Sequence, residues 1–304
     1  MRKDEGETLG IEIIARDAPL GAIVRCGDVR ALDDVRFRAV YEAYLDHLVL
    51  VFRDQHLSDE ELLAFSMRFG ELENVEPMRG MKTTPPQLAI VSNVVENGEP
   101  IGRLGFGEAV WHTDSSFNTV PPSATLLYGL EVPAHGGDTG FANMYRAFET
   151  LPPELHDRIR GRTIKHDKRY TASGTLRGGY SAGDDIRSCP GPSHPIIRRH
   201  PETGHHALHL GRRTNSYVNG LSVADSEALL DALWAHATRP ELTWHHQWQR
   251  GNLLVWDNRT VMHRRDAFDP DARRILHRTQ CKGTSGPEAP ARWEPHRRAQ
   301  AYAA

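Results

Sequence analysis

The sequence predicts a mainly β chain folded as a single domain, with a β-sandwich or jelly-roll core and helices at its periphery. Three observations predict it. Short apolar runs bounded by turn residues recur along the chain, as in "LVLVF" (48–52), "QLAIVSNV" (87–94), "SATLLYGLEV" (123–132) and "LLVWDN" (253–258). Only a few segments carry a helical period. No internal repeat and no linker divides the 304 residues, a length that buries a sizeable core. The expected organisation is a loose tail at 1–8, one domain over 9–283 and a Pro/Arg/Ala-rich tail at 284–304.

Taken in order, "LGIEIIA" (9–15) and "AIVRC" (22–26) read as strands. Residues 33–47 set Val35, Phe37, Val40, Tyr41, Tyr44 and Leu45 at helical spacing. "SDEELLAFSMRFG" (58–70) is a marked helix: Ser58 and Glu61 form a capping box and Gly70 closes it. "AHGGDTGF" (134–141) is a tight turn between strands, and a helical stretch is expected over 147–161. Residues 164–195 read as a long polar loop carrying Lys168, Arg169, Arg177 and Arg187, a length that points to function or mobility, and a lid is one reading. "SVADSEALLDALWAHAT" (222–238) is an amphipathic helix. "LTWHHQW" (242–248) alternates as a strand does, and the turn "QRGN" leads from it into "LLVWDN".

Composition narrows the function classes. A formal charge of −3 leaves no basic excess for nucleic acid or an anionic membrane. Cys26, Cys189 and Cys281 are too few and too scattered for a disulfide framework or a zinc pattern. The charged start "MRKDEGETLG" has no apolar signal region, and no run reaches the length of a membrane span. The expectation is a soluble, cytoplasmic protein.

One stretch, "VWHTDSSF" (110–117), asks for a chemical explanation. It reads as the end of a strand, where residues i and i+2 share a face, so His112 and Asp114 can turn a nitrogen and a carboxylate oxygen to one ion. A third ligand would make a facial triad with open positions, the arrangement of non-haem iron(II) oxygenases. His263 in "VWDNRTVMHRR", far downstream and after an apolar strand, is the strongest candidate. A lone His-x-Asp is common by chance. Its surroundings carry the argument.

"WHTDSSF", "PPSATLLYGLEVPAHGGDTGFANM", "WDNRTVMHRR" and "ARRILHRTQ" resemble the taurine dioxygenase / 2,4-dichlorophenoxyacetate dioxygenase family of Fe(II)- and 2-oxoglutarate-dependent oxygenases, over about residues 10–283 and in the family's order. The resemblance implies a double-stranded β-helix (distorted jelly roll), Fe(II) as cofactor, and 2-oxoglutarate and O2 as cosubstrates. It implies that His112, Asp114 and His263 ligate iron, and that Thr139 of "GGDTG" and Arg274, eleven residues after His263, hold the distal carboxylate of 2-oxoglutarate. A guanidinium suits that task because it is permanently charged and can donate two parallel hydrogen bonds.

With its carboxylate ligand present, the site is similar to the hydroxylases rather than to the halogenases that lack that ligand. Arg278, four residues after Arg274, matches the arginine that contacts the substrate's anionic group, which implies a small carboxylate, sulfonate or sulfate ester. The histidine that helps bind sulfonate in the taurine enzyme falls on Val75, against taurine itself. "AIVSNVVENGEP" is closer to the phenoxyacetate branch; Arg79 and Lys82 are counterparts of one of its basic residues, while a second basic position falls on Glu99. Hydroxylation next to an ether oxygen, or at the analogous sulfonate carbon, would break the C–O or C–S bond. Family members are often homo-oligomers, although no interface is legible in the chain. A zinc hydrolase shares the ligand types but leaves Thr139 and Arg274 unexplained and lacks a glutamate base nearby. An inactive metal-binding jelly roll is the other alternative.

Overall fold

A computed structural model of the chain describes residues 10–75, 85–103, 109–170, 174–183, 185–213 and 215–291. Among them run β1 (Glu12–Ala15), β2 (Ala22–Arg25), β3 (Val49–Phe52), β4 (Ala89–Ser92), β5 (Val95–Glu96), β6 (Glu99–Pro100), β7 (Ala124–Glu131), β8 (Thr139–Asn143) and β9 (Thr163–His166). They are followed by β10 (Ser193–Pro195), β11 (Ile197–Arg199), β12 (His206–Leu208), β13 (Ser216–Val218), β14 (Thr243–His246), β15 (Leu253–Asp257), β16 (Val261–Arg265) and β17 (Ile275–Cys281). The α-helices are α1 (Asp34–His47), α2 (Asp59–Met67), α3 (Met144–Glu149), α4 (Pro153–Ile159) and α5 (Val223–Ala237). The protein is mainly β with helices around it. No helix among the described residues is long and apolar enough to cross a membrane.

Seven strands form the large sheet, in the order β1-β2-β3-β15-β7-β17-β4. Its central strands are buried on both faces, and successive residues go to opposite cores. Val49, Val51, Leu254 and Trp256 pack on one side, whereas Leu50, Phe52, Leu253 and Val255 pack on the other. This two-sided burial makes "LVLVF" and "LLVW" read as continuous apolar runs rather than alternating ones. The second core lies beneath α1 and α2, which supply Val40, Tyr44, Leu62 and Phe65. At the start of α2 the capping box forms as expected: Ser58 Oγ accepts from Glu61 N at 3.3 Å, and Glu61 Oε2 accepts from Ser58 N at 2.8 Å.

A three-stranded sheet, β14-β8-β16, faces the large one. The Phe141 ring of β8 lies 5.4 Å from that of Trp256 on β15, so the first core fills the space between the sheets. The site is built here.

Several sequence expectations change. The helical stretch over 147–161 is two short helices, α3 and α4, because the Pro152–Pro153 pair cannot continue the hydrogen-bond ladder. The polar stretch 164–195 is not one loop: β9 and β10 pair within it, Lys165 opposite Ser193, and a 3-10 turn spans Ile186–Ser188. Beside Ile164 and Cys189 its buried members include His166, Asp167, Arg169 and His194, polar residues used as interior, which hydrophobic patterning cannot see. "AHGGDTGF" and "QRGN" lie between strands as expected, and the strands they join belong to different sheets. Within the segment 284–304 expected as a tail, Glu288 O accepts from Arg199 N at 2.8 Å.

Candidate metal centre

His112 and His263 are bound to each other through the backbone before any side chain is considered. His112 N donates to His263 O at 2.9 Å and His263 N to His112 O at 2.8 Å, which pins the segment after residue 109 to β16. The expected strand end shrinks to isolated bridges at His112, one to His263 and one to Arg212. Thr113 N then donates to Gly211 O at 2.8 Å and the chain turns. Asn258 clamps the turn: its Oδ1 accepts from Asp114 N at 3.0 Å, and its Nδ2 donates to Asp114 O at 3.1 Å and to Pro122 O at 3.0 Å.

The side chains converge. His112 Nε2 lies 3.8 Å from Asp114 Oδ1 and His263 Nε2 lies 3.8 Å from Asp114 Oδ2. One ligand atom from each of the three buried residues falls within 4.8 Å of the others. At 3.8 Å no hydrogen bond joins the carboxylate to either imidazole. His112 Nδ1 is 2.8 Å from Val110 O, an atom that can only accept, so the ring hydrogen sits on Nδ1 and the Nε2 lone pair faces Asp114. The His263 ring is held by packing, with Trp256 at 4.8 Å and Phe141 at 6.4 Å. Asp114 Oδ2 also accepts from Thr125 Oγ1 at 3.0 Å. Two neutral nitrogens and a carboxylate with one side left open fit a divalent transition metal that keeps exchangeable positions.

Electrostatics agree with that fit. Burial, followed by the neighbouring His112, pushes the His263 pKa down from 6.5 to about 3, so the imidazole stays neutral and able to ligate. Burial works against the Asp114 carboxylate, but its charged neighbours outweigh it and hold the pKa below the ordinary value. The lowering comes from His263 first and then from the Arg278 guanidinium, whose Nη1 is 3.7 Å from Asp114 Oδ1, with the Thr125 hydrogen bond adding to it.

His112 and His263 open onto a small cavity of about 40 Å³, walled by Val91, Leu127 and Trp256. Thr139, Arg274 and Arg278 line the same cavity. Thr139 begins β8 and is 3% exposed. Arg274 precedes β17 and is 1% exposed; its N–H donates to Asn93 Oδ1 at 3.0 Å and its Nη2 to Gly137 O at 3.2 Å. Gly137 has φ +69°, and a Cβ there would lie 3.2 Å from Arg274 Nε, so glycine both permits the turn and leaves room for the guanidinium.

Six residues singled out in the sequence therefore meet at one place: His112, Asp114, His263, Thr139, Arg274 and Arg278. Arg79 and Lys82 lie outside the described residues. Asn258, Thr125 and Trp248, whose indole N–H reaches Thr139 Oγ1 at 3.0 Å, were not legible in the sequence. Asn258 left one signal, an amide directly after a fully buried strand in "WDNR".

Known proteins share this arrangement's sequence. The family model described as taurine catabolism dioxygenase TauD, TfdA family matches residues 15–280. Pentalenolactone F synthase of Streptomyces arenae is 36% identical over 274 residues, 85% of this chain and 91% of its own. The (S)-phenoxypropionate/alpha-ketoglutarate-dioxygenase of Sphingobium herbicidovorans is 32% identical over 91% of this chain and 96% of its own. A crystal structure of a taurine dioxygenase from Burkholderia xenovorans superposes with a TM-score of 0.76 at 31% identity, covering 92% of each chain.

Proposed function

From the premise that the chain belongs to the taurine catabolism dioxygenase TauD, TfdA family and is a 2-oxoglutarate-dependent dioxygenase, we propose that it uses Fe(II) to hydroxylate a small anionic organic substrate. The observation that carries this reading is the convergence of two imidazoles and a carboxylate beside a cavity that Thr139, Arg274 and Arg278 also line. On the same reading, the two facing sheets are the halves of a double-stranded β-helix.

His112, Asp114 and His263 would hold the metal. When bound, the metal supplies the chemistry of O2 activation: 2-oxoglutarate is oxidised to succinate and CO2, one oxygen atom of O2 entering succinate and the other the substrate's C–H bond. The chain's own residues bind, orient and exclude water. Arg274 and the Thr139 hydroxyl would take the distal carboxylate of 2-oxoglutarate, one as a permanent cation and one as a hydrogen-bond donor. Val91, Leu127 and Trp256 keep the cavity apolar beside the metal, which strengthens each of those charge interactions.

Arg278 is the residue we assign to the substrate's anionic group. It reaches the cavity from β17, the strand that follows Arg274, and is near Asp114 without a hydrogen bond to it. A triad with a divalent metal carries one net positive charge, since only Asp114 is anionic; two arginines beside it add to the field and favour anions. The relatives are named for a phenoxypropionate, for taurine and for pentalenolactone F, so their names span several substrate shapes. An aryloxyalkanoate, sulfonate or sulfate ester fits the charge. Hydroxylation at the carbon next to the ether or ester oxygen would yield an unstable product that loses the C–O bond.

The test is anaerobic addition of Fe(II) and then 2-oxoglutarate to metal-free protein, read by a visible charge-transfer band, with His263→Ala and Arg274→Ala as controls. A band that weakens in both variants supports the assignment. A folded protein that binds iron yet gives no band refutes it. Succinate release against a panel of small carboxylates, sulfonates and sulfate esters then identifies the substrate class.

A further inference from the structure

We propose that Trp248 is a positioning residue for the cosubstrate: its indole N–H fixes the Thr139 hydroxyl as a donor aimed at the distal carboxylate of 2-oxoglutarate. The inference rests on the cosubstrate reading above and adds a residue to it.

The argument begins with the valence of a hydroxyl, which has one hydrogen to donate and two lone pairs. Trp248 Nε1, a donor only, reaches Thr139 Oγ1 at 3.0 Å, so one lone pair is occupied and the hydroxyl hydrogen must point elsewhere. No acceptor for that hydrogen is found among the described residues, and Thr139 lines the cavity that holds His112, His263 and Arg274. A carboxylate in the cavity supplies the acceptor.

Both partners are held rigidly. The Thr139 backbone is paired on both sides, with His246 of β14 and with Arg265 of β16. The indole lies against Gly129, where a Cβ would come within 3.1 Å of a ring carbon, and the His246 ring packs edge-on at 4.9 Å. Trp248 is 7% exposed, and its other side faces a separate cleft of about 640 Å³ that also contains Arg16, Arg53 and Trp244. The indole thus stands between that cleft and Thr139, the residue that lines the metal cavity. Removing its N–H while keeping a ring frees the hydroxyl to rotate; removing the ring would also leave a void beside Thr139.

The experiment is a double-mutant cycle with Trp248→Phe and Thr139→Val. Binding of the unreactive analogue N-oxalylglycine in the presence of Mn(II) is read by calorimetry, and the KM for 2-oxoglutarate by turnover. Trp248→Phe is expected to weaken binding and raise KM roughly 3–10-fold, the worth of one hydrogen bond, with kcat within about twofold. In the Thr139→Val background the same substitution is expected to change nothing, because the hydroxyl through which it acts is gone. An equal loss in both backgrounds, or no loss from Trp248→Phe, overturns the proposal. Failure of the wild type to bind the analogue overturns the cosubstrate reading and this one with it. If Trp248→Phe does not fold, the indole N–H resonances of the six tryptophans give the answer. One of them must move both in Thr139→Val and when the analogue is added to wild type, and six unmoved signals refute the coupling.

Discussion

Asn258→Ala removes a side chain that touches neither the cavity nor a ligand atom, yet it is expected to damage stability and metal affinity together. Asn258 is 1% exposed and makes three side-chain hydrogen bonds, two to the Asp114 backbone and one to Pro122 O. A hydrogen bond contributes about 1 kcal/mol net, and a buried partner left unsatisfied costs about 1–3 kcal/mol. If the turn relaxes in part to recover water, the loss is about 3 kcal/mol. With an unfolding entropy near 0.6 kcal/mol/K for a chain of this size, that lowers Tm by about 5 °C. Because Asp114 then loses its fixed position, metal affinity is expected to drop roughly 10–100-fold, as it does when groups supporting a ligand are removed. Thermal unfolding of the metal-free protein and Mn(II) titration at a temperature where both proteins are folded read the two effects separately. An unchanged Tm with unchanged Mn(II) affinity would show that the Asn258 clamp does not hold the ligand.

Other perturbations divide the site from the scaffold. Arg274→Ala is expected to weaken 2-oxoglutarate binding about 100-fold, for the loss of charge-assisted hydrogen bonds, while metal affinity stays as in wild type; an anaerobic titration with each ligand decides. Ser58→Ala, at the capping box of α2, is expected to lower stability by about 1 kcal/mol with turnover unaffected, measured by urea unfolding and succinate release. Acid tests the buried histidines: burial holds His263 and His246 at about 3, below the ordinary 6.5. Between those values the unfolded chain binds the additional protons, so their contribution is full above 6.5 and declines as pH falls, by up to about 1.4 kcal/mol per pH unit for each group. A urea midpoint of the metal-free protein that stays level from about pH 6.5 to 4.5 would contradict this.

What the sequence disclosed, and what it withheld, follows from the range of the interactions. Periodicity and capping are local, so α1, α2 and α5 and the buried strands β3 and β15 were all readable. Sheet membership is not local: "QRGN" looks like a hairpin turn, and only the pairing of β14 with β8, and of β15 with β3 and β7, shows that the chain changes sheets there. Polar interior is the second blind spot. His166, Asp167 and Arg169 read as loop by composition, although burial and the Asp167–Arg169 ion pair make them part of the structure. At the site, His112, Asp114, His263 and Arg274 could be named because the motifs that carry them resemble a known family. Asn258 and Trp248 could not, since each acts through one hydrogen bond or clamp to a residue distant in sequence, and no spacing rule announces such a partner.

The backbone bridge between His112 and His263 also sets when in the life of the chain the metal can arrive. A ribosome-bound chain that stops short of β16 offers two of the three residues of the candidate metal centre and lacks the partner strand that fixes the first of them. Arg274 and Arg278 emerge later still, with β17 at the centre of long-range pairings to β7 and β4. Pairings of this kind form slowly, because distant segments must be brought together before any contact rewards them. A metal held by all three residues is therefore captured only once β16 has paired with the His112 segment, and holding it reports that these distant parts of the chain have come together.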